Sequence, residues 1–170
     1  MLALYISIFR NVGLQTLIFK YCIAFSFDMK YKFIEGLTSD VMFEAYGKDL
    51  AEVFSNAAEA MFSVICQIDK VGDGKAVGAG VEVEVNADNA EELMIKWLQK
   101  LILLVDTEEM FFSRFEIIEI DEKGLRAKCY GEEITPEKGE TVVKAVTRYN
   151  YSFGKGEDGK GYKAVVSLDI

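Results

Sequence analysis

Alternation of apolar and polar residues marks the last segment of the chain as a β-strand. Residues 162–170 place five side chains on one face and four on the other: Tyr162, Ala164, Val166, Leu168 and Ile170 against Lys163, Val165, Ser167 and Asp169. Successive side chains of a strand point to opposite faces, so this stretch predicts a strand with one buried face. The strand runs to the final residue, and the terminal carboxylate therefore lies one residue from the Asp169 side chain. Two anionic groups this close repel unless a cation or a hydrogen-bond donor lies between them.

The same kind of pattern predicts six further strands. Gly36 to Asp40 form the turn between the first two, and residues 121–124 are a hairpin turn signal. Residues 131–140 form a polar loop that holds the only proline, Pro136. The predicted strands before the last one are 29–35, 41–46, 81–85, 111–120, 125–130 and 141–153.

Two segments have helical rather than alternating periodicity. From Leu50 to Ile65, apolar residues recur at the spacing of one helical face, with Asp49 as N-cap and Glu52 three residues on, as in a capping box. A second helix is predicted over 89–105 with Asp88 as its cap. This helix is apolar over most of its circumference, so we expect it to be the central buried one.

The order of elements is therefore β-β-α-β-α-β-β-β-β. It predicts an α+β fold with a mainly antiparallel sheet and two helices packed on one side of it. We expect residues 29–170 to form one domain, because neither a repeat nor a linker divides them.

Residues 1–28 differ in composition from the rest. They are rich in Leu, Ile, Phe and Ala and carry three charged residues, Arg10, Lys20 and Asp28. Polar interruptions disfavour a signal peptide, and no polar-free run reaches the roughly 20 residues that a membrane helix needs. We favour a third interpretation, an upstream start codon with Met29 as the true first residue, because the alternating pattern begins there.

Composition narrows the possible functions. The chain has 170 residues, a formal charge of −9 and an isoelectric point near 4.7, which disfavours a protein that binds a phosphate backbone. It contains no histidine, and its three cysteines lie far apart: Cys22, Cys66 and Cys129. Zinc-ribbon and thioredoxin-type interpretations fail on this spacing. We expect Cys66 and Cys129 to be small core residues and the compartment to be reducing, hence cytoplasmic.

Few residues are candidates for catalysis or metal binding, and these candidates would act through oxygen atoms. Asp40 lies in a turn between strands, and Asp169 and the Ile170 carboxylate end the last strand; such ligands favour Ca²⁺ or Mg²⁺ over zinc if they converge. An aspartate in a turn is, however, usually only a turn former. Thr38 and Ser39 offer additional oxygens. No histidine is present to activate a serine or cysteine, so the composition points to a binding or helper protein.

Two further features admit a structural and a functional interpretation. In the predicted strand 141–153, Lys144 is flanked on its own face by Val142 and Val146. It is either a surface lysine that covers apolar area or a cation that contacts a phosphate or an acidic partner group. The glycine-rich segment 71–80 precedes a strand rather than a helix, so it is a loop and not a phosphate cradle.

From Met29 onward the chain resembles the archease family. The matching stretches cover the whole of residues 29–170, and no single one is decisive, but several occur in register. They are Tyr31-Lys32-Phe33-Ile34-Glu35, Thr38-Ser39-Asp40-Val41, Phe43-Glu44-Ala45-Tyr46-Gly47, Lys96-Trp97-Leu98, Leu103-Leu104, Asp106-Thr107-Glu108, Phe111-Phe112-Ser113, Val143-Lys144-Ala145-Val146-Thr147 and Val165-Val166-Ser167-Leu168-Asp169-Ile170.

The chain departs from the family pattern at two histidine positions. The family usually has Glu-His-Thr-Ala-Asp in the first turn, where this chain has a longer turn, 35–40, without histidine. The family often has Tyr-His after the Val-Lys-Ala-Val-Thr strand, where this chain has Arg148-Tyr149. The acidic positions and Lys144 are kept, so the resemblance supports a metal site better than any role for imidazole.

The resemblance implies an accessory protein rather than an enzyme. Archeases activate the RtcB-type ligase of tRNA splicing, promote its guanylylation by GTP and restore its turnover. The family's divalent cation, calcium with Mg²⁺ or Mn²⁺ as alternatives, maps onto Asp40, Asp169 and the Ile170 carboxylate, and its strand lysine maps onto Lys144. We expect neither a membrane nor stable nucleic-acid binding.

Two rival functions remain open at this point. One is a general chaperone or modulator of RNA- or DNA-processing proteins, with no dedicated ligase partner. The other is a small hydrolase with a metal-bound water, which the lack of a visible general base disfavours.

Overall fold

The structure, a computed structural model, describes residues 29–34, 40–72, 80–156 and 159–170. The predicted extension 1–28 and residues 35–39 of the first turn, including Thr38 and Ser39, lie outside the described residues. Most of the glycine-rich loop, 73–79, also lies outside them, and the residue range that follows is strand, as expected.

Strands and helices of the described residues follow one another in the predicted order. The strands are β1 (Tyr31–Ile34), β2 (Asp40–Gly47), β3 (Val81–Asn86), β4 (Met110–Ile120), β5 (Gly124–Glu133), β6 (Ala145–Lys155) and β7 (Tyr162–Asp169). The helices are α1 (Leu50–Ile65) and α2 (Ala90–Glu108), and short 3-10 turns occupy Ile68–Lys70 and Pro136–Lys138.

All pairs among the described strands are antiparallel, and these strands form two sheets. One has the order β1-β2-β7-β6 and the other β3-β5-β4. Both helices contact strands of both sheets, and the apolar core fills the space where they meet. The predicted α+β class is confirmed; the division of the strands between two sheets is not specified by their alternation, which fixes faces but not partners.

Helix α1 begins as the sequence predicts. The Asp49 carboxylate accepts the Glu52 backbone N–H at 2.9 Å, and the Glu52 carboxylate accepts the Lys48 N–H at 2.6 Å. Gly47 is needed just before this cap, since a Cβ there would lie 2.2 Å from the Val53 backbone nitrogen. The end of β2 and the first turn of α1 can approach this closely only because position 47 has no side chain.

Helix α2 differs from its prediction at the cap and in its burial. Asn89, not Asp88, is the N-cap: its side chain accepts the Glu92 N–H at 2.9 Å, because it stands directly before the first helical residue with an extended backbone. The expectation that α2 is the central buried helix is wrong. It buries 7 of 19 residues, whereas α1 buries 9 of 16. The two are joined by the Trp97 indole, whose N–H donates to the Phe54 carbonyl at 3.1 Å.

Strand β6 starts later than predicted, at Ala145 instead of residue 141. Val142 is 77% exposed and Val146 6% exposed, so these two valines do not share a face as regular alternation would require. Further on, the pairing with β7 shifts between Thr147 and Ser152, where Asn150 has a φ of 49°. The sequence pattern could not predict this bulge, because the inserted residues interrupt the alternation of apolar and polar positions.

Candidate functional site

Strands β2 and β7 bring Asp40 and Asp169 directly opposite each other. They are register partners in the antiparallel ladder, followed by the pair Val41 and Leu168. Opposite residues in such a ladder place their side chains on the same face, with Cβ atoms about 4.5–5.5 Å apart. The side chains of Asp40 and Asp169, from distant parts of the chain, therefore lie on one face at one end of the four-stranded sheet, which we call the carboxylate tip. Ile170 directly follows Asp169.

Lys144 holds the end of the chain at this tip. Its backbone N–H donates to the Asp169 carbonyl at 2.8 Å, and its Nζ donates to an Ile170 terminal oxygen, also at 2.8 Å. The Ile170 side chain packs against the core. The last residue is thus held in two ways, by apolar contacts of its side chain and by a hydrogen bond from Lys144 to its terminal carboxylate. This intramolecular partner was not foreseen from the sequence, because it depends on which strand lies beside β7.

The donor set at the tip is chemically suited to a hard cation. Asp40, Asp169 and the Ile170 carboxylate offer oxygen atoms alone, the ligand type that Ca²⁺ and Mg²⁺ take. In the part of the chain that the structure describes, no three side chains of His, Cys, Asp or Glu group together. Among the described residues, side chains alone therefore do not give the two aspartates a third acidic neighbour. Lys144 donates to one oxygen of the terminal carboxylate.

A second polar cluster lies on the same face of the sheet, centred on Glu44. Lys163 Nζ is 2.8 Å from one Glu44 oxygen, Lys32 Nζ is 2.9 Å from the other, and the Tyr46 hydroxyl also donates to it. Partial burial opposes ionisation of this carboxyl, but hydrogen bonds from Lys163, Tyr46 and Lys32 outweigh it and lower the pKa of Glu44 to about 2. Sequence reasoning missed this cluster, since its members come from three strands.

The bulge in β6 lies beside the tip and is fastened to α2. The Tyr149 carbonyl accepts the buried Ser167 hydroxyl at 2.7 Å, the Tyr151 hydroxyl donates to the Glu91 carbonyl at 2.6 Å, and Arg148 forms an ion pair with Glu92. Burial raises the pKa of Tyr151, with Glu91 acting in the same direction. The Tyr149 side chain stays 53% exposed.

The two cysteines in the described residues do not form a reactive site. Cys66 is 1% exposed and Cys129 is fully buried, which confirms that they are core residues. Burial raises the pKa of each thiol to about 12, helped at Cys66 by Glu132 and Glu140. Neither thiol is therefore an activated nucleophile. In the same described ranges, no helix is both long and apolar enough to cross a membrane.

As far as the structure describes the chain, the fold and the tip define a small α+β protein whose polar site contains carboxylates and a lysine. The chain belongs to the archease family. The model of the Archease protein family (MTH1598/TM1083) matches residues 31–170. The family resemblance in the sequence is thereby confirmed, and archease is the name of an accessory protein family rather than of a catalytic activity.

Individual relatives agree with this assignment. The chain is 39% identical over 147 residues to protein archease of Methanosarcina acetivorans, covering 83% of this chain and 96% of that one. It is 40% identical over 141 residues to protein archease of Methanothermobacter thermautotrophicus, covering 79% and 94%.

Two solved structures share the fold. The solution structure of Methanobacterium thermoautotrophicum protein 1598 has a TM-score of 0.65 and 34% identity, covering 83% of this chain and 99% of that one. The crystal structure of an archease, possible chaperone, from Thermotoga maritima has a TM-score of 0.54 and 17% identity, covering 81% and 95%; it supports the fold alone.

Proposed function

We propose that this protein activates an RtcB-type RNA-splicing ligase, promoting its guanylylation by GTP and its repeated turnover in tRNA splicing. Membership of the archease family supports an accessory role. The observation that carries the proposal is the pairing of Asp40 with Asp169 beside the chain end. A site of this kind, with carboxylates and a lysine, is suited to presenting charge to another protein's active site.

In this proposal the tip holds a divalent cation, Ca²⁺ with Mg²⁺ or Mn²⁺ as alternatives. Asp40, Asp169 and the Ile170 carboxylate are its ligands. When bound, such a cation supplies positive charge that stabilises phosphate oxygens during nucleotidyl transfer. Lys144 donates to one terminal oxygen, and its single positive charge leaves the net charge of the tip negative.

The net charge of this chain indicates what kind of surface the partner protein presents to it. A ligase that binds GTP and RNA phosphates needs a basic active site, and this chain carries a net charge of −9. Opposite potentials speed encounter and orient the two proteins. The acidic tip then approaches the basic site while the rest of the surface stays outside it.

Single-turnover guanylylation of the purified cognate ligase tests the proposal. We expect Asp40→Ala and Asp169→Ala each to reduce the stimulation at least about tenfold, because each removes one of the anionic ligands. Glu122→Ala is the matched control, since it removes an exposed carboxylate from the turn between β4 and β5. Full stimulation by both aspartate variants would contradict the proposal.

A second candidate is a general chaperone or modulator of RNA- or DNA-processing proteins. The Thermotoga maritima protein of the same fold is described as a possible chaperone. A pull-down from native extract separates the two functions. Recovery of many unrelated clients without the ligase favours the chaperone, and stoichiometric recovery of the ligase favours the activator.

A further inference from the structure

The two sheets have four outer strands: β1 and β6 in one, β3 and β4 in the other. An outer strand presents a row of backbone N–H and C=O groups that can pair with another chain. Proteins normally protect such edges by shortness, bulges, proline, charged side chains, or a helix or loop that covers them. An edge that is regular and uncovered is therefore informative about binding.

Three of the four edges are short or irregular. Strand β1 has four described residues and carries Lys32. Strand β6 is interrupted between Thr147 and Ser152, and β4 has two register shifts, one on each side of Phe115. None of these three presents a long regular row of backbone groups.

Strand β3 is different. All six of its residues pair with β5 in one unbroken register. Just beyond it, the Ala87 N–H donates to the Lys123 carbonyl on the β5 side. Because the bonding direction alternates along an antiparallel strand, Val81, Val83 and Val85 direct their backbone groups to β5. The backbone N–H and C=O groups of Glu82 and Glu84 therefore point to the outer edge.

This edge is open and acidic in the described part of the chain. No backbone hydrogen bond between described residues reaches the outer groups of Glu82 or Glu84, and Lys96 Nζ contacts only the Asn86 carbonyl at the strand's end. The Glu82 side chain is 72% exposed, and its partner Lys128 is 4.0 Å away. Val83 is buried beneath, which fixes the strand to the core.

We propose that the outer edge of β3 binds an extended segment of a partner protein that carries Lys or Arg at every second position. Pairing with the edge supplies backbone hydrogen bonds, and the basic side chains lie opposite Glu82 and Glu84 on the exposed face. A second copy of this chain is the wrong partner, since antiparallel pairing of two such edges places glutamate opposite glutamate. This inference goes beyond the proposed function, because the carboxylate tip belongs to the other sheet.

The experiment uses the full chain and a labelled synthetic peptide of about eight residues that alternates lysine with threonine. Fluorescence anisotropy measures binding, and ¹⁵N spectra locate it. We expect saturable binding with shifts concentrated on residues 81–86, and at least about a tenfold loss of affinity in the double variant Glu82→Lys/Glu84→Lys. The matched control, Glu116→Lys/Glu119→Lys, makes the same charge change on the far strand β4 of that sheet.

A backbone variant separates edge pairing from simple charge attraction. Glu84→Pro removes an outward N–H without touching the β5 ladder, so we expect it to weaken binding as well. If Glu84→Pro misfolds, the comparison of Glu82→Lys/Glu84→Lys with its control Glu116→Lys/Glu119→Lys still tests the proposal. Lack of saturable binding, an equal loss in the control, or shifts elsewhere would overturn the proposal. So would a wild-type dimer that Glu84→Pro dissociates, because the occupant would then be a second copy.

Discussion

At the scale of single residues, Glu44 is an ionisable group held by three other side chains. Two lysines and a tyrosine converge on one carboxylate whose side chain is 13% exposed. Each donor needs the charged form of Glu44, and Glu44 in turn keeps the two ammonium groups from repelling each other. The cluster fastens β1, β2 and β7 to one another on the outer face of their sheet.

The pH dependence of stability should report this cluster. The pKa of Glu44 falls from 4.5 to about 2 on folding, so its stabilisation is complete above pH 4.5 and is lost as the pH falls from there to about 2. In Glu44→Gln the free energy of unfolding should be lower by about 1–2 kcal/mol at pH 7, and this acid-dependent loss should be smaller.

Urea unfolding at pH 7 and at several acidic pH values measures both effects. Glu122→Gln, which removes an exposed carboxylate of equal charge, is the control. A Glu44→Gln protein with wild-type stability at every pH would mean that the three contacts contribute nothing.

Some site residues could be predicted from the sequence and others could not. Asp40, Asp169 and Ile170 were named by the family resemblance and by their positions next to a turn and a chain end. Glu44 was not, because its cations lie on β1 and β7, and only the strand register reveals that three such residues are neighbours. Lys144 was named, but its bond to the chain end was not.

At the scale of elements, the first turn of α2 is capped by one side chain, that of Asn89. Asn89 accepts the Glu92 N–H, and its carbonyl accepts the Leu93 N–H at 2.9 Å. The first turn also carries Glu91 and Glu92, which suit the positive end of the helix dipole and which hold the β6 bulge. The cap therefore fixes the place where the bulge is fastened.

Removal of the cap should cost more than removal of its neighbour. We expect Asn89→Ala to lower the free energy of unfolding by about 1 kcal/mol, because one helix N–H loses its acceptor. Asp88→Ala is the matched control and should change stability by less than about 0.5 kcal/mol. Thermal and urea unfolding measure both variants, and an equal loss in the two would contradict the assignment of the cap to Asn89.

The elements themselves were largely predictable. Strict alternation identified β3 and β7, and helical spacing identified α1, because each of these buries one continuous face. Prediction failed at the start of β6 and at the end of β5, which extends to Glu133, where the chain leaves regular alternation. Local pattern cannot report such places, since their geometry depends on the strand alongside.

At the scale of the whole molecule, the proposed cation site requires that Ile170 be the last residue. One additional residue after Ile170 would turn the terminal carboxylate into a neutral amide carbonyl and move the charge away from Asp40 and Asp169. The side chain of Ile170 could still pack against the core. The effect of an added residue on cation binding can therefore be measured separately from its effect on stability.

We expect a protein with one glycine added after Ile170 to keep its melting temperature without calcium and to lose at least about tenfold in calcium affinity. Lys144→Met should also weaken the affinity, because the terminal carboxylate is then no longer held in place. Calorimetric titration measures calcium binding, and the same glycine added at the amino terminus is the control. Wild-type affinity in the carboxyl-terminal extension would exclude the chain end as a ligand.

The position of β7 between β2 and β6 has a consequence for the folding of the larger sheet. Among the described strands, β7 is the one that joins β6 to the hairpin of β1 and β2. Strand β2 lies early in the chain and β7 late, so their pairing must close a long loop, and contacts of this kind slow folding.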